Sequence, residues 1–314
     1  MNNIYNNSII KDRIDLKSSK KTFIYENDLK FKNSRNIDIL SDNNEFDIED
    51  IKGRLHLDYD TLDYRLKELI KNNNTSLDLS NIGLINNSLN NLPINYSQIK
   101  YLFLNENKLE GILDLTKFNN LEVVDIEFNS ISELILPSSV KEFVVSNNKL
   151  SKLPNNINPI RIKANHNNIN VLPLNYTNLE LAELSYNNIT RINTFDNLKR
   201  LIIDSNPLEV INNLSKLTYL DVSDTNKVKL ENLPNISHLV LNSCNSENLP
   251  YFETLEIIEI INTPISRLQY FPKFTMVLCS HNLTKNISSK YVDIGKAIIK
   301  LKHNNLICIS KEEC

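Results

Sequence analysis

One spacing pattern recurs along most of the chain and restricts its fold more than any other feature. Residues 198–208 follow the pattern L-x-x-L-x-L-x-x-N-x-L, beginning at Leu198 and carrying the asparagine at Asn206. The asparagine position, or its replacement, returns at Asn107, Asn129, Asn148, Asn167, Asn187, Asn206, Thr225, Cys244 and Thr263. Successive positions are 22, 19, 19, 20, 19, 19, 19 and 19 residues apart. Such a regular period predicts stacked repeats that share one continuous core.

Each repeat is expected to contain a short strand followed by a turn. Leu201 and Ile203 are two residues apart, so both face the interior of a strand. The Asn206 amide can then satisfy backbone groups that the turn leaves unpaired, each of which would cost about 1–3 kcal/mol. The threonines and the cysteine of the last three repeats can do this only in part. We therefore expect those later coils to be the looser ones.

The predicted architecture is an α/β-type solenoid, an arc with a parallel β-sheet on its concave face. A 19-residue period leaves little room for a helix on the convex side. That side is expected to be mostly extended or 3₁₀, held open by prolines such as Pro93, Pro154 and Pro173.

Helical caps are expected at both ends because a repeat at the end of a stack has no neighbour to cover its outer side. The first spans residues 60–72, with Asp60 as its N-cap and an apolar stripe of Leu62, Leu66, Leu69 and Ile70. The second begins at Ser288 or Ser289 and continues to about His303, with a return strand over 306–309. The lysines of this second helix also suit membrane attachment, which is the weaker interpretation.

Four regions follow. Residues 1–57 form a poorly defined N-terminal segment and 58–74 a capping helix. Residues 75–284 form the solenoid, and 285–314 form a C-terminal cap of a helix and a short strand.

The repeat pattern resembles that of the leucine-rich-repeat (LRR) family over about residues 75–284. It is most similar to the short variety of 19–22 residues with Leu-Pro endings, seen here at 92–93, 153–154, 172–173 and 249–250. Repeats of that kind occur in bacterial effectors and large DNA viruses. Some members are ubiquitin-ligase effectors with a separate catalytic domain and a reactive cysteine. Only about 30 residues follow the repeats here, too few for such a domain.

Composition excludes several classes of function. A formal charge of −3 argues against nucleic-acid binding, which favours a strongly basic chain. No apolar segment approaches the roughly 20 residues that cross a membrane, and the N-terminus is unlike a signal peptide. Four scattered cysteines do not form a disulfide framework. We expect a monomer in the cytoplasm, or in the host cytoplasm if the source is viral.

Catalytic and cofactor motifs are absent from the sequence. The four glycines, Gly53, Gly83, Gly111 and Gly295, cannot form a phosphate-binding loop, and the five histidines lack metal-ligand spacing. Cys244 occupies a turn position, where a structural role is favoured. We therefore expect no enzyme, no cofactor and no metal; an enzymatic alternative would require a catalytic cysteine within the repeats.

Candidate binding residues lie beside the buried positions of each strand and just before each asparagine. Large aromatic and basic side chains there are typical of protein interfaces. They are Tyr101, Phe103, Phe128, Arg161, Lys163, His166, Arg200, Tyr186 and Tyr219. Two other interpretations stay open: scattered apolar residues face solvent in every protein, and the N-terminal segment could cover Tyr101 and Phe103.

The favoured function is a non-catalytic protein–protein interaction module that binds a partner on its concave face. The alternative is an adaptor that recruits a substrate to a larger complex, for example a ubiquitin ligase, through its N-terminal region.

Overall fold

The computed structural model describes residues 57–246, 249–265, 271–273, 275–279, 298–301 and 308–309. The predictions for residues 1–56 lie outside this part of the chain.

The described residues form one α-helix, two 3₁₀ helices and seventeen short strands. The helix α1 is Tyr59–Lys71, and the 3₁₀ helices are Asn86–Leu89 and Tyr96–Gln98. The strands are β1 Ser76–Asp78, β2 Tyr101–Phe103, β3 Glu110–Asp114, β4 Val123–Asp125, β5 Ser130–Ile135, β6 Glu142–Val144, β7 Arg161–Lys163, β8 Leu181–Glu183, β9 Arg200–Ile202, β10 Val210–Asn212, β11 Tyr219–Asp221, β12 Lys229–Glu231, β13 His238–Val240, β14 Ile257–Ile260, β15 Met276–Cys279, β16 Ile298–Leu301 and β17 Cys308–Ile309.

Thirteen of these strands form the main sheet, in the order β1-β2-β4-β6-β7-β8-β9-β11-β13-β14-β15-β16-β17. All neighbours are parallel except β16 and β17. The register never slips between repeats: Leu102 pairs with Val124, Val124 with Phe143, and Phe143 with Ile162. Equivalent residues of successive coils therefore lie side by side, as the predicted solenoid requires.

The core runs through the stack as one continuous cluster of buried side chains. The strand residues Leu102, Val124 and Ile162 are each 0% exposed, because the sheet covers one side and the return segments cover the other. The return segments add aromatic rings to this core. Tyr176 is fully buried, and its hydroxyl donates to the Pro154 carbonyl oxygen at 2.6 Å.

The return side of the coils is mostly extended, in agreement with the short period. Two small parallel sheets lie there, β3 with β5 and β10 with β12, together with the two 3₁₀ helices. No α-helix occurs on this side within the described coils.

Helix α1 packs against β1, and three of its predicted stripe residues, Leu62, Leu66 and Leu69, are buried. The predicted cap is wrong, since Asp58 accepts from the Thr61 backbone N–H at 3.0 Å and Asp60 lies within the first turn. Ile70 is also misassigned, being 42% exposed.

The C-terminal helix prediction is wrong where it can be compared, because Ile298–Leu301 is a strand. Adjacent isoleucines favour a strand, and the edge of β15 offers backbone groups that a helix could not pair. Residues 288–297 lie outside the described chain. Cys308–Ile309, within the predicted return strand, pairs antiparallel with β16.

Candidate binding surface

The strand face is the surface formed by the first and third residues of the main-sheet strands. In β2 the middle residue, Leu102, is 0% exposed, whereas Tyr101 and Phe103 are partly exposed. The same alternation repeats in β7 and β9. Two residues of each strand occupy the strand face, in rows that run across the strands, and in β4, β6, β8 and β11 only the first of them is accessible.

An asparagine ladder holds the turn that follows each strand. The Asn167 amide nitrogen donates to the carbonyl oxygens of Val145, Ala164 and Asn165 at 3.0, 3.3 and 3.2 Å. Its side-chain oxygen accepts from the Leu150 backbone N–H at 2.9 Å. Asparagine positions that bind the preceding coil in this way are Asn107, Asn129, Asn148, Asn167, Asn187 and Asn206.

The ladder changes chemistry after Asn206. The Thr225 hydroxyl donates to the Val222 carbonyl oxygen at 2.7 Å, and the Cys244 thiol reaches the same oxygen at 3.1 Å. Burial raises the pKa of the Cys244 thiol, and its contacts make it part of the turn. No asparagine in the next coil accepts from the Leu208 backbone N–H, because Thr225 occupies the ladder position there. This N–H donates instead to the Asn206 carbonyl oxygen within its own coil.

The residue before each ladder position adopts the left-handed backbone conformation. We call these residues the turn row; their φ angles lie between 53° and 58°, at Glu106, Phe128, Asn147, His166, Tyr186, Ser205, Asp224, Ser243 and Asn262. L-residues with large side chains adopt this conformation at a cost of about 1–2 kcal/mol, whereas glycine and asparagine accept it readily. The repeat spacing predicts that the turn row lies on the binding surface but gives no indication of this backbone geometry.

The turn row nevertheless carries large aromatic side chains. Phe128 is 40% and Tyr186 51% exposed. The His166 and Tyr186 rings stack with centroids 4.3 Å apart and planes 11° from parallel. The predicted aromatic group is thus distributed over adjacent coils, with Tyr101 and Phe103 partly exposed on β2 and Phe128 in the turn after β4.

The predicted basic residues contact neighbouring side chains of the same surface. Arg161 forms an ion pair with Glu142 at 2.6 Å, and Lys163 forms one with Glu183 at 3.3 Å. The Arg200 guanidinium lies 3.6 Å from the centre of the Tyr219 ring. These cations are engaged in contacts within the strand face.

Toward the C-terminal end, the strand face is less accessible than the sequence pattern predicts. His238, Val240, Ile257 and Glu259 occupy strand-face positions and are nevertheless buried. Tyr219 contacts His238 with ring centroids 4.7 Å apart, and His238 Nε2 lies 3.2 Å from a Glu259 oxygen. From β1 to β11, every main-sheet strand keeps at least one accessible residue on the strand face.

Carboxylates dominate the strand face and the turns beside it. From β1 to β14, the strand face and the last two residues of each turn before the ladder hold ten acidic and three Lys or Arg side chains, a formal charge of −7. The acidic residues are Asp78, Glu106, Asp125, Glu127, Glu142, Glu183, Asp204, Asp221, Asp224 and Glu259. Burial raises the pKa of Asp125 to about 7.

In the described part of the chain, no group of three His, Cys, Asp or Glu side chains could hold a metal ion. The helices of this part also include none with the length and apolar character needed to cross a membrane.

No protein-family model matches the chain, and a search of curated proteins finds no relative. Solved structures do resemble it. YopM, a leucine-rich effector protein from Yersinia pestis, gives a TM-score of 0.60 at 20% identity, over 78% of this chain and 79% of that one. The leucine-rich-repeat domain of APL1 gives 0.50 at 21% identity, over 65% and 66%. The corresponding domain of APL1B gives 0.50 at 16% identity, over 81% and 84%. At these identities the similarity concerns the fold alone.

Proposed function

Because the chain is a solenoid with the leucine-rich-repeat fold, we propose that it is a non-catalytic module that binds a partner protein through its strand face. Parallel stacking in constant register turns single side chains into long rows, which suit an extended contact. The rows beside the turns combine exposed rings with polar side chains, the composition that protein interfaces favour.

The observation that carries this proposal is the presence of exposed aromatic rings at left-handed positions. Phe128 and Tyr186 have φ angles of 54° and 56°. A smaller asparagine, as at Asn147, would fit the same backbone with less strain. Backbone geometry alone therefore does not account for the large rings, and we infer that their exposed area contacts a partner.

Paired alanine substitutions test the proposal. Phe128→Ala with Tyr186→Ala removes two rings from the turn row, whereas Val171→Ala with Leu174→Ala removes exposed apolar area from a return segment. Leu174 is 76% and Val171 48% exposed, so the control is comparable. We expect proteins that copurify with the wild-type chain to be lost from the first variant and kept by the second. Retention by the first variant would contradict the proposed surface.

The adaptor alternative predicts two partners that respond differently to the paired substitutions of Phe128 and Tyr186. A substrate bound at the strand face should be lost from the Phe128→Ala/Tyr186→Ala variant, while a component of the larger complex should stay bound. A single partner that responds to the strand-face substitutions would favour the simple binding module.

A further inference from the structure

We propose that the partner presents a basic polypeptide segment, whose arginine or lysine side chains pack on the His166–Tyr186 pair beside Asp224. This inference rests on the proposed function and adds the chemical class of the partner. It follows from three features: the charge of the surface, the position of the aromatic rings, and the contacts that the Lys and Arg side chains of the strand face already make.

The charge of the surface favours a basic partner. Among the accessible side chains of the strand face and turns from β1 to β14, six carboxylates outnumber three Lys or Arg side chains. The other four carboxylates of this surface are buried. Carboxylates are thus in excess on the face that displays the aromatic rings. Complementary potential raises the association rate of a positive segment and disfavours a negative one.

The turn row places a ring pair and a carboxylate at a spacing that suits neighbouring basic side chains. His166, Tyr186, Ser205 and Asp224 belong to successive coils, which are about 4.8 Å apart in a parallel sheet. Asp224 is exposed, and the small Ser205 separates it from the Tyr186 ring. A guanidinium placed over the ring would make a cation–π contact, while a second basic side chain reaches the carboxylate about 10 Å away.

The strand face already contains one example of the proposed contact. The Arg200 guanidinium lies 3.6 Å from the centre of the Tyr219 ring in the coils next to Tyr186. The local surroundings therefore support cation–π packing between residues of this chain. Tyr186 offers a comparable ring at the turn, and half of its surface is exposed.

The same features argue against a nucleic acid. Bases also stack on aromatic rings, but their phosphates require cations for binding. Arg161 and Lys163 form ion pairs with Glu142 and Glu183, and Arg200 is packed on Tyr219. Phosphates would meet an excess of carboxylates along this face.

Binding of labelled probes to the full chain tests the proposal. The probes are a ten-residue peptide of alternating arginine and glycine, a matching glutamate–glycine peptide, and a twelve-nucleotide single strand of DNA. Fluorescence anisotropy should show binding of the arginine peptide, weakening as salt rises, with the other two probes bound at least tenfold more weakly. Equal or tighter binding of the DNA or the acidic peptide would overturn the proposal.

Two substitutions locate the site. Tyr186→Leu keeps apolar volume but removes the ring, and should weaken binding of the arginine peptide roughly 5–10-fold. Asp224→Asn should weaken it and reduce its salt dependence, whereas Glu133→Gln, at an exposed position on β5, should not. Circular dichroism checks that each variant is folded. Equal effects of Asp224→Asn and Glu133→Gln would show that the peptide senses only net charge, and would overturn the assignment.

The outcomes separate this inference from the broader function. If Tyr186 substitutions abolish partner capture while the arginine peptide binds no better than the acidic one, the binding module stands and the basic class is wrong. If neither partner capture nor peptide binding responds to Tyr186, both proposals are wrong.

Discussion

Some single residues destabilise the folded chain in ways that the repeat pattern does not reveal. Asp125 lies on the strand face, is only 7% exposed, and its backbone contact is a hydrogen bond from the Glu127 N–H at 3.0 Å. Burial raises the pKa of its carboxyl from an ordinary value of 3.8 to about 7, although Lys163 opposes this shift. The carboxylate therefore opposes folding when it is ionised.

We predict that Asp125→Asn stabilises the protein at alkaline pH. The unfolded chain releases the Asp125 proton near pH 4, whereas the folded protein holds it to about pH 7, so stability falls between these values. Above pH 7 the substitution should raise the free energy of unfolding by on the order of 2–4 kcal/mol, and near pH 4 it should change it by almost nothing. Denaturant unfolding at pH 4.5 and pH 8 measures the difference.

Asp114 provides the control for that experiment. Hydrogen bonds from Thr116 lower the pKa of its exposed carboxyl, so Asp114→Asn should give no gain in stability at high pH. A gain from Asp125→Asn that is equal at both pH values would contradict the proposed burial of charge.

A second residue-scale prediction concerns the left-handed turn row. Ser243 is exposed and has a φ angle of 56°, so Ser243→Gly relieves strain and should raise the free energy of unfolding by up to about 1 kcal/mol. Ser151 is also exposed but is not among the residues with positive φ, and Ser151→Gly should lower it by about 0.5–1 kcal/mol. Opposite signs in thermal or denaturant unfolding are expected; a loss at both positions would contradict the strain argument.

At the scale of the element, the asparagine ladder links each turn to the coil before it. Asn167→Ala removes the donor to the carbonyl oxygens of Val145 and Ala164 and the acceptor of the Leu150 N–H, all in buried surroundings. We expect the free energy of unfolding to fall by about 2–4 kcal/mol, since each buried polar group left without a hydrogen-bond partner costs about 1–3 kcal/mol. Asn168→Ala, one residue later and exposed, should change stability by less than about 0.5 kcal/mol. Equal effects of the two substitutions in denaturant unfolding would contradict the assigned role of the ladder.

The elements also show what sequence could and could not reveal. The ladder and the strand positions follow from spacing alone, because a 19-residue period fixes which residues face inward. The sequence could not show that Arg161 and Lys163 lie beside Glu142 and Glu183, since those contacts join residues 19 or 20 positions apart across neighbouring strands. The helical pattern around Ile298 was overridden by pairing with β15, a tertiary effect that local periodicity does not encode.

At the scale of the whole molecule, stability should vary along the stack. A solenoid coil is stabilised mainly by its neighbours, so a change in ladder chemistry alters local opening rather than the fold. Up to Asn206, each ladder side chain accepts a backbone N–H from the preceding coil and donates to its carbonyl oxygen. At Thr225 the ladder hydroxyl donates to Val222 of its own coil and lies 3.3 Å from the Cys244 sulfur of the next coil. It makes no contact that replaces the usual acceptor of the Leu208 N–H, which bonds within its own coil.

We therefore predict a gradient in hydrogen exchange along the main sheet. Backbone amides of β13 and β14 should exchange roughly tenfold or more faster than those of β7 and β8, because the ladder side chains of their coils make fewer hydrogen bonds to the neighbouring coil. Thr225→Asn combined with Cys244→Asn restores the ladder chemistry found at Asn206. It should slow exchange in β11, β13 and β14 and leave β4 to β7 unchanged, as measured by mass spectrometry under native conditions. Uniform protection along the wild-type sheet, or no response to the paired substitution, would show that the aliphatic core alone sets the stability of each coil.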